Sequence, residues 1–253
     1  MARIFITGSA DGLGQLAAKA LVGLGHGVVL HARNAERGEQ ALQAVPGAED
    51  VLIADLSGMD ETKALAAKAN ALGVFDAVIH NAGVYQVPRN SVTQDGLPLL
   101  LAVNSLAPYI LTCLMHKPKR LIYMSSGMHL QGDPQLNDLR VGNSNGRVSY
   151  SDTKLHDVIL CMAVVRKRPD IFANAVNPGW VPTKMGGAGA PDDLEEGYQT
   201  QVWLAVSDDP EARVSGEYFH HKKPSRYLPA AGDIAVQGHF LRLCEQITGV
   251  KFD

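Results

Sequence analysis

The chain of 253 residues contains little cysteine, and its cysteines form no pattern that would organise a fold. Cys113, Cys161 and Cys244 are odd in number, lie far apart and belong to no C-x-x-C pair. A disulfide framework is therefore not expected, and the three thiols are predicted to be reduced in the core of a cytoplasmic protein. The histidine patterns of zinc enzymes, H-x-x-x-H and H-E-x-x-H, are also missing, so we expect no metal site.

Charge and long apolar segments are scarce as well. Charged residues make up 19% of the chain and the net charge is -3, without a basic stripe that would favour nucleic acid or an anionic membrane as partner. No segment approaches the roughly 18 apolar residues of a transmembrane helix. The start, Met1-Ala2-Arg3, lacks the long apolar region of a signal peptide. These absences again predict a cytoplasmic location.

The chain does contain a regular alternation of short β-rich runs and longer helical patterns. The predicted strands are 3–7, 28–31, 51–54, 75–80, 120–124 and 171–176, and the predicted helices include 13–24, 59–72, 97–115 and 149–166. Several of the short runs are continuously apolar, as strands buried on both faces are. This alternation predicts an α/β protein, with a single-domain Rossmann fold over residues 1–253 and helices on both faces of a doubly wound parallel sheet.

The first predicted strand runs into a glycine-rich turn, Thr7-Gly8-Ser9-Ala10-Asp11-Gly12-Leu13-Gly14, and a helical pattern follows. Glycines let the backbone turn sharply and let a pyrophosphate approach the N-terminus of the helix, where free N–H groups favour negative charge. The strand-turn-helix context therefore predicts a dinucleotide site. Its expected ligands are Gly8, Ser9, Gly12, Leu13 and Gly14. A tight turn without a ligand is the alternative.

The second predicted strand ends in His31-Ala32-Arg33-Asn34. At this place NAD-binding proteins have an acidic residue that holds the ribose 2′-hydroxyl. Arg33 stands there instead, and a guanidinium can bind a 2′-phosphate through two hydrogen bonds. We therefore expect NADP(H) to be preferred over NAD(H). A solvated surface arginine is the alternative.

Seven motifs in a fixed order carry a resemblance to a known family. They are the turn T-G-x-x-x-G-x-G, Asp55-Leu56, Asn81-Ala82-Gly83, Asn104, Ser125-Ser126, Tyr150-Ser151-Asp152-Thr153-Lys154 and Asn177-Pro178-Gly179-Trp180-Val181-Pro182-Thr183. From residue 3 to residue 183 the sequence resembles the short-chain dehydrogenase/reductase family. The long gap between Ser126 and Tyr150, with His129 soon after the serines, resembles its branch of retinol dehydrogenases, protochlorophyllide reductases and polyketide ketoreductases.

The resemblance implies an enzyme that moves a hydride between NADP(H) and a carbonyl or secondary alcohol carbon. Tyr150 and Lys154 are four residues apart and share a helix face, so the ammonium favours a phenolate at Tyr150, the expected general acid for reduction and base for oxidation. Ser126 is expected to donate a hydrogen bond to the substrate oxygen, and Asn104 to hold a water for a proton relay to Lys154. The alternatives are an exposed Tyr–Lys pair, serines that only end a strand, and an asparagine bonded within its helix.

By the same resemblance, one group of residues lies at the adenosine and another at the nicotinamide. The adenosine group is Asp55, Leu56, Asn81, Ala82 and Gly83. The nicotinamide group is Pro178, Gly179, Val181 and Thr183, together with Tyr150 and Lys154. A helix N-cap is the alternative for Asp55. Asp11 stands where many NADP-preferring relatives carry a basic residue, so the expected cofactor preference depends mainly on Arg33.

Two segments, near 127–149 and 183–199, are expected to frame a pocket for an apolar ketone, aldehyde or secondary alcohol. The family resemblance also implies a homodimer or a homotetramer and leaves the two open. A non-catalytic NADP-binding regulator on the same fold is the alternative function. Such a regulator is expected to lose Tyr150 or Lys154, and both are present.

Overall fold

The computed structural model describes residues 1–88, 91–140 and 148–253, and its centre is one eight-stranded sheet. The strands are β1 (Arg3–Ile6), β2 (Gly27–Ala32), β3 (Asp50–Ile53), β4 (Ala77–His80), β5 (Arg120–Met124), β6 (Phe172–Asn177), β7 (Tyr218–His220) and β8 (Lys223–Pro224). Their order across the sheet is β3-β2-β1-β4-β5-β6-β7-β8. All neighbours up to β7 are parallel, and β8 is antiparallel to β7. The predicted doubly wound Rossmann fold is confirmed.

Helices cover both faces of the sheet. They are α1 (Gly12–Gly23), α2 (Ala35–Ala44), α3 (Met59–Ala71), α4 (Leu99–Leu101), α5 (Ala107–Leu114), α6 (Tyr150–Lys167), α7 (Leu194–Val206) and α8 (Ile234–Thr248). A π-helical stretch, Ala102–Leu106, joins α4 to α5. Helices α1, α2 and α7 pack on one face, and α3, α5, α6 and α8 pack on the other. Among the described residues, none of the helices combines the length and apolar character needed to cross a bilayer.

Successive residues of the central strands point to opposite faces of the sheet. Ile4 and Ile6 of β1 pack in the core beneath α1 and α7, whereas Phe5 packs in the core beneath α3 and α5. Val28 and Val29 of β2 are divided between the two cores in the same way. Because both faces are covered, most positions in these strands are apolar, with Arg3 and the buried His31 as exceptions, which explains the apolar runs in the sequence.

The helices that begin at the carboxyl edge of the sheet have defined N-terminal caps. Asp11 caps α1 and Asn34 caps α2. Helix α6 begins with a capping box, in which Ser149 Oγ accepts a hydrogen bond from Asp152 N at 3.0 Å and Asp152 Oδ2 accepts one from Ser149 N at 2.8 Å. Such caps satisfy N–H groups that have no partner within the helix. They fix where α1, α2 and α6 begin, next to the site described below.

The strand order reverses between β1 and β4. From β1 the chain adds β2 and β3 on one side, and it then returns to add β4, β5 and β6 on the other side. Helices therefore leave the two central strands toward opposite faces, which opens a crevice at their carboxyl ends. Ligands of open α/β sheets bind in a crevice at this position.

Candidate active site

A cleft of about 890 Å³ opens at the carboxyl ends of the central strands. Its volume lies in the range of about 300–1,000 Å³ that is usual for ligand sites. The predicted site residues that line it are Gly8, Gly12, Leu13, Arg33, Asp55, Leu56, Asn81, Ala82, Gly83, Tyr150, Lys154, Pro178 and Thr183. The predicted residues that do not line it are Ser9, Gly14, Asn104, Ser126, Gly179 and Val181. The fold thus brings most of the predicted site into one cleft.

The glycine turn after β1 is bonded to the end of β4. Thr7 Oγ1 accepts hydrogen bonds from the backbone N–H groups of Asn81 and Ala82, both at 3.0 Å. In return, Asn81 Nδ2 donates to Thr7 O at 2.9 Å and to Gly8 O at 3.1 Å. The amide of Asn81 therefore holds the shape of the turn, besides lining the cleft where the adenosine ribose is predicted.

Ser9 and His31 support the turn from inside. Ser9 Oγ is fully buried, donates to Ile6 O at 3.0 Å and accepts from His31 N at 2.9 Å. His31 Nδ1 accepts from Gly8 N at 2.9 Å, while Nε2 bonds to Ala54 O at 3.0 Å. Burial lowers the pKa of His31 to about 4, so the ring is neutral, with its proton on Nε2. This role of His31 was not predicted from the sequence.

Asp55 does not cap a helix. Its Oδ1 accepts a hydrogen bond from Ser57 N at 2.9 Å, and its own N–H donates to Glu61 Oε2 at 2.8 Å. The residue before α3 is Gly58, which has no side chain to act as a cap. The helix-cap alternative for Asp55 is therefore wrong, and the carboxylate lies at the wall of the cleft.

Three cations line the cleft near the glycine turn. Arg33 is exposed just after β2, and Arg37 lies four residues further on, in the first turn of α2. Arg37 Nη2 donates to Asp11 Oδ2 at 3.0 Å, and Lys184 Nζ donates to the same oxygen at 2.7 Å. Burial raises the pKa of Asp11, but hydrogen bonds from Lys184, Gly12 N and Arg37 outweigh this and lower it. The positive charges of Arg37 and Lys184 therefore balance the negative charge of Asp11, the acidic residue that departs from the family pattern.

Tyr150 and Lys154 meet at the beginning of α6. Lys154 Nζ lies 5.6 Å from the centre of the Tyr150 ring. The ring of Tyr85 packs edge-on against Tyr150, with 4.6 Å between the ring centres. Lys154 Nζ also donates to Met124 O at 2.7 Å and to Asp157 Oδ2 at 2.9 Å. The predicted pair is thus assembled, and Lys154 is joined to an acid, Asp157, whose role was not predicted from the sequence.

The Lys154–Asp157 pair is buried, and this shifts both pKa values. Burial acts to lower the pKa of Lys154, but the Asp157 charge, with a contribution from Tyr150, raises it above its ordinary value. Burial raises the pKa of Asp157 to about 6, against the opposing effect of Lys154. Both groups are therefore charged at neutral pH.

Asn104 lies in the π-helical stretch and is fully buried. Its Oδ1 accepts from Val84 N at 2.8 Å, and its Nδ2 donates to Val84 O at 2.9 Å and to Thr153 Oγ1 at 3.0 Å. The side chain therefore joins the segment after β4 to α6. A Cβ atom on Gly83 would lie 3.5 Å from Asn104 Oδ1 and 3.7 Å from Lys154 Nζ. Asn104 thus positions the walls around Lys154, and its part in a proton relay stays a prediction.

The two serines after β5 have different partners. Ser125 lines the cleft, and its Oγ donates to Lys154 O at 2.8 Å. Ser126 Oγ accepts from Met128 N at 3.2 Å, and in the described part of the chain its hydroxyl hydrogen has no acceptor. His129 is buried and bonds through Nδ1 to Ser126 O at 2.7 Å. Ser126 therefore keeps a hydrogen to donate, and its catalytic role stays a prediction.

The segment after β6 forms the predicted nicotinamide end of the cleft. Pro178 and Thr183 line it, whereas Val181 is buried. Gly179 has a φ of +84°, and a Cβ atom there would lie 2.6 Å from Asp192 Oδ2, so the position requires glycine. Thr183 Oγ1 accepts from Gly186 N at 3.2 Å. These contacts hold the segment in one conformation beside the cleft.

The two predicted substrate segments are described to different extents. Within 127–149, residues 141–147 lie outside the described residues, and the described part begins with a 3₁₀ helix, Gly127–Gln131. Within 183–199, the residues that line the cleft are Thr183, Lys184 and Met185.

Over residues 1–88, 91–140 and 148–253, no group of three or more His, Cys, Asp or Glu side chains could hold a metal ion.

Known proteins resemble this chain in sequence and in fold. A family model described as short chain dehydrogenase matches residues 2–133. The chain belongs to the short-chain dehydrogenase family. This dehydrogenase is 49% identical to an uncharacterized oxidoreductase, AN7799, of Emericella nidulans, over 99% of this chain and 98% of the relative. It is 43% identical to the short-chain dehydrogenase chyC of Penicillium rubens, over 99% of each chain. It is therefore an oxidoreductase.

A more distant relative and a solved structure support the same assignment. The dehydrogenase is 28% identical to retinol dehydrogenase 14 of Mus musculus, over 98% of this chain and 86% of the relative. This agrees with the predicted branch of the family. A crystal structure of a protein from Mycobacterium paratuberculosis has a TM-score of 0.84 and 26% identity, and it covers all of this chain and 95% of that one.

The residues of this short-chain dehydrogenase fit a nicotinamide dinucleotide. At Gly12, which has a φ of +53°, an added Cβ atom would meet only Thr183 Cγ2, at 4.0 Å. The turn therefore leaves space beside the N-terminus of α1, where a pyrophosphate would bind. Gly8, Gly12 and Leu13 would hold the pyrophosphate, and Tyr150 and Lys154 would face the nicotinamide ribose.

Besides His31, three charged residues of the dehydrogenase's site were not predicted, although the sequence contains signals for two of them. Arg37 follows Arg33 at a spacing of four and lies in the first turn of α2, whereas Arg33 precedes the helix. Asp157 follows Lys154 at a spacing of three and is surrounded by apolar residues of α6. Lys184 has no such signal, because its partner Asp11 is 173 positions away in the sequence.

Proposed function

We propose that this oxidoreductase uses NADPH in preference to NADH to reduce the carbonyl group of an apolar ketone or aldehyde, and that it can oxidise the corresponding alcohol at the same site. One observation carries the proposal. A single cleft is lined by the acid–base pair Tyr150 and Lys154 and by the two arginines Arg33 and Arg37. Such a cleft has a group for proton transfer and cations for a phosphorylated ribose.

In the proposed reduction, the bound nicotinamide supplies the hydride that reaches the carbonyl carbon. Tyr150 donates its hydroxyl proton to the carbonyl oxygen and becomes a phenolate, which later takes a proton from solvent. The Lys154 ammonium, close to the Tyr150 ring, stabilises the negative charge that this transfer leaves on the Tyr150 oxygen. Ser126 donates a hydrogen bond to the same oxygen and stabilises the charge that develops there. Oxidation of an alcohol follows the same steps in reverse.

The preference for NADPH is supported by the charges at the cleft. Arg33 occupies the position where NAD enzymes have an acidic residue. Arg37 lies four residues further along the chain and also lines the cleft. Guanidinium groups match the oxygens of a phosphate in geometry and charge. Asp11 is held between Arg37 and Lys184, so this acid does not stand as an isolated negative charge against the cofactor phosphates.

An apolar substrate is supported by the walls of the cleft. Apolar residues that line it include Val84, Leu99, Val103, Met124, Pro178 and Met185. The name of one relative, retinol dehydrogenase 14, is consistent with an apolar alcohol or carbonyl compound as the substrate.

We also propose that residues 1–253 form one catalytic domain and that the protein is located in the cytoplasm. The three free thiols support the proposed location.

The proposal is tested by cofactor binding and by turnover. Purified protein is titrated with NADPH and NADH while nicotinamide fluorescence is followed, and NADPH oxidation is then measured with a panel of ketones and aldehydes. Tyr150→Phe should keep NADPH binding and lower turnover by about 10²- to 10⁴-fold, the usual contribution of a general acid. Tyr198→Phe is the matched control, because the Tyr198 hydroxyl makes no hydrogen bond within the described residues.

Two results would contradict the proposal. If neither cofactor binds, the chain is a non-catalytic member of the family. If Tyr150→Phe reduces carbonyl compounds as fast as the unchanged protein, another group supplies the proton.

A further inference from the structure

We propose that Asp157 is a positioning residue for Lys154, and that its buried carboxylate holds the ammonium in place and keeps it charged beside Tyr150. This inference rests on the proposed function of Tyr150 and Lys154. Asp157 itself does not line the cleft, so any effect on the reaction has to act through the lysine.

The geometry leaves Lys154 one free N–H bond. Its Nζ has three hydrogens, of which one is donated to Met124 O and one to Asp157 Oδ2. These two acceptors fix the position of the nitrogen, and Lys154 also lines the cleft 5.6 Å from the centre of the Tyr150 ring. The remaining N–H bond is therefore available to the cleft, where the nicotinamide ribose is expected.

The position of Asp157 in α6 is unusual for a carboxylate. From Leu155 to Val164 every residue of the helix is buried, and Asp157 itself is 3% exposed. A buried charge without a partner is strongly destabilising. Lys154 is 5% exposed and lies 2.9 Å away, so each residue provides the charge that lets the other be buried.

The other titratable groups near Asp157 do not compete for this role. On α6 they are Tyr150, beyond Lys154, and Cys161, one turn further along; on β7 the group is Tyr218. Burial raises the pKa values of the Cys161 thiol and the Tyr218 hydroxyl well above neutral pH. Among the described residues, Lys154 is therefore the cation that faces Asp157.

Removal of the carboxylate should change the charge of Lys154. Burial acts to lower the pKa of the lysine, and the Asp157 charge is the main effect that opposes it. Without Asp157, the lysine should lose its proton at a lower pH. A neutral amine would bind the cofactor ribose less strongly and would no longer stabilise the negative charge left on the Tyr150 oxygen by proton transfer.

The Asp157→Asn variant tests this inference, since asparagine keeps the size of the side chain and an acceptor oxygen but removes the charge. The affinity for NADPH is measured by nicotinamide fluorescence from pH 7.5 to 10. We expect the unchanged protein to bind almost equally over this range. We expect Asp157→Asn to bind progressively more weakly as the pH rises, by about tenfold or more at the upper end, the usual effect of losing a hydrogen bond from a charged group.

Two control variants identify the group that titrates. In a Lys154→Met background, Asp157→Asn should introduce no dependence of NADPH affinity on pH, because the titrating amine is gone. Asp76→Asn removes a different Lys–Asp pair, Asp76 with Lys119 at 2.9 Å, which is partly exposed and does not line the cleft. This variant should show the flat profile of the unchanged protein.

Thermal unfolding gives a second measurement that needs no cofactor. Lys154→Met leaves the Asp157 carboxylate buried without its partner, so we expect its Tm to fall clearly. The double variant Lys154→Met with Asp157→Asn should recover most of that loss, since neither charge is then buried. If Asp157→Asn alone does not fold, the two variants that carry Lys154→Met still test the coupling.

The outcomes separate this inference from the proposed function. If the unchanged protein does not bind NADPH, the proposed function fails, and the role of Asp157 fails with it. If the unchanged protein binds NADPH but the Asp157→Asn profile runs parallel to it, only the role of Asp157 is overturned. Absence of a recovery in Tm for the double variant would also overturn it.

Discussion

Lys184 Nζ lies 2.7 Å from the carboxylate of Asp11, so the segment after β6 is joined to the glycine turn after β1. Asp11 also accepts a hydrogen bond from Arg37 and caps α1 through Gly12 N at 2.7 Å. The N-terminus of α1 is where a pyrophosphate is expected to bind. The Asp11 carboxylate and the cofactor phosphates would therefore compete for the same positively charged groups, Arg37 and Lys184.

Asp11→Asn should strengthen NADPH binding. Asparagine caps a helix as well as aspartate does, but it lacks the negative charge, so Arg37 and Lys184 become available to the phosphates. We expect the Kd for NADPH to fall by about three- to tenfold at low ionic strength, and the gain to shrink as added salt screens the charges. Fluorescence titration at two salt concentrations measures both effects.

Asp50→Asn is the matched control for this change, because the Asp50 side chain is exposed and bonds only to Val51 N within the described residues. Its affinity for NADPH should equal that of the unchanged protein. Weaker binding by Asp11→Asn would show instead that the ion pair with Lys184 organises the site.

Arg37→Ala should change the choice between the two cofactors. The Arg37 guanidinium lines the cleft, four residues after Arg33 in the sequence. This is close enough for both arginines to bind the same 2′-phosphate. We expect the Kd for NADPH to rise about tenfold, as for a lost hydrogen bond to a charged group, while the Kd for NADH changes little. Arg33→Ala should act in the same direction. Titration of each variant with both cofactors measures the ratio.

Arg242→Ala, which removes an exposed arginine of α8, should leave the ratio unchanged. Arg37→Lys should lie between the unchanged protein and Arg37→Ala, because lysine keeps the charge and loses the two-pronged geometry. An equal loss for NADPH and NADH would contradict a role at the 2′-phosphate and would place Arg37 at the pyrophosphate.

The fold could be predicted from the sequence because the sheet is buried on both faces. Runs such as Val28–Leu30 are apolar at successive positions, and the helices between them show one apolar face, so strand and helix patterns do not conflict. The ends of the six predicted strands differ from β1–β6 by at most two residues. The glycine turn and the spacing of Tyr150 and Lys154 also depend only on residues close together in the sequence.

Other features of the site depend on contacts that spacing does not reveal. The hydroxyl of Ser9 points into the protein toward Ile6 O and His31 N, although its motif suggests a cofactor ligand. Asn104 bonds to Val84 and Thr153, which are distant in sequence. Which of two adjacent serines faces the cleft depends on the exact path of the chain after β5. Such choices are set by packing.

Gly14→Ala should disrupt the turn, whereas Gly23→Ala in the same helix should not. A Cβ atom on Gly14 would lie 2.3 Å from Asn81 Nδ2 and 2.7 Å from Gly8 O, and both atoms are held by the hydrogen bonds between β1 and β4. We expect Gly14→Ala to lower the free energy of unfolding by about 1–3 kcal/mol or more, the usual cost of overpacking. NADPH binding should weaken too, because Asn81 is displaced.

Gly23 ends α1, and nothing lies within 4 Å of an added Cβ atom. Gly23→Ala should therefore raise the free energy of unfolding by up to about 1 kcal/mol, because alanine favours the helix. Urea denaturation of both variants provides the comparison. Equal effects of the two substitutions would contradict the close approach of the glycine turn to Asn81.

The protein should lose stability in mild acid because it buries neutral histidines. Burial lowers the pKa of His31 to about 4, of His80 to about 3 and of His156 to about 4. The unfolded chain, in which histidine has a pKa near 6.5, therefore binds more protons than the folded state below that pH. Their contribution to stability is complete above pH 6.5 and is lost as the pH falls toward 4.

The ionisation of Asp157 changes the stability of the protein in the opposite direction over part of this pH range. Its pKa is raised by burial to about 6, so the contribution of this group is complete below the ordinary carboxyl pKa and is lost as the pH rises through 6. Three buried histidines outweigh one aspartate, and the net expectation is a loss of stability between pH 6.5 and 4.

His80→Leu should reduce this sensitivity to acid. Leucine is close to histidine in size, and Thr112 Oγ1, which bonds weakly to His80 at 3.3 Å, keeps its 2.8 Å bond to the Tyr123 hydroxyl. The free energy of unfolding, measured by urea denaturation, should fall less between pH 7 and pH 5 in the variant than in the unchanged protein. The difference should be about 2 kcal/mol, the linkage expected for one histidine that stays neutral when folded.

His116→Gln replaces an exposed histidine and should leave the dependence on pH unchanged. If the curves of His80→Leu and the unchanged protein run parallel between pH 7 and 5, His80 is not the buried neutral group that the structure indicates, and the acid sensitivity comes from other groups, such as His31 and His156.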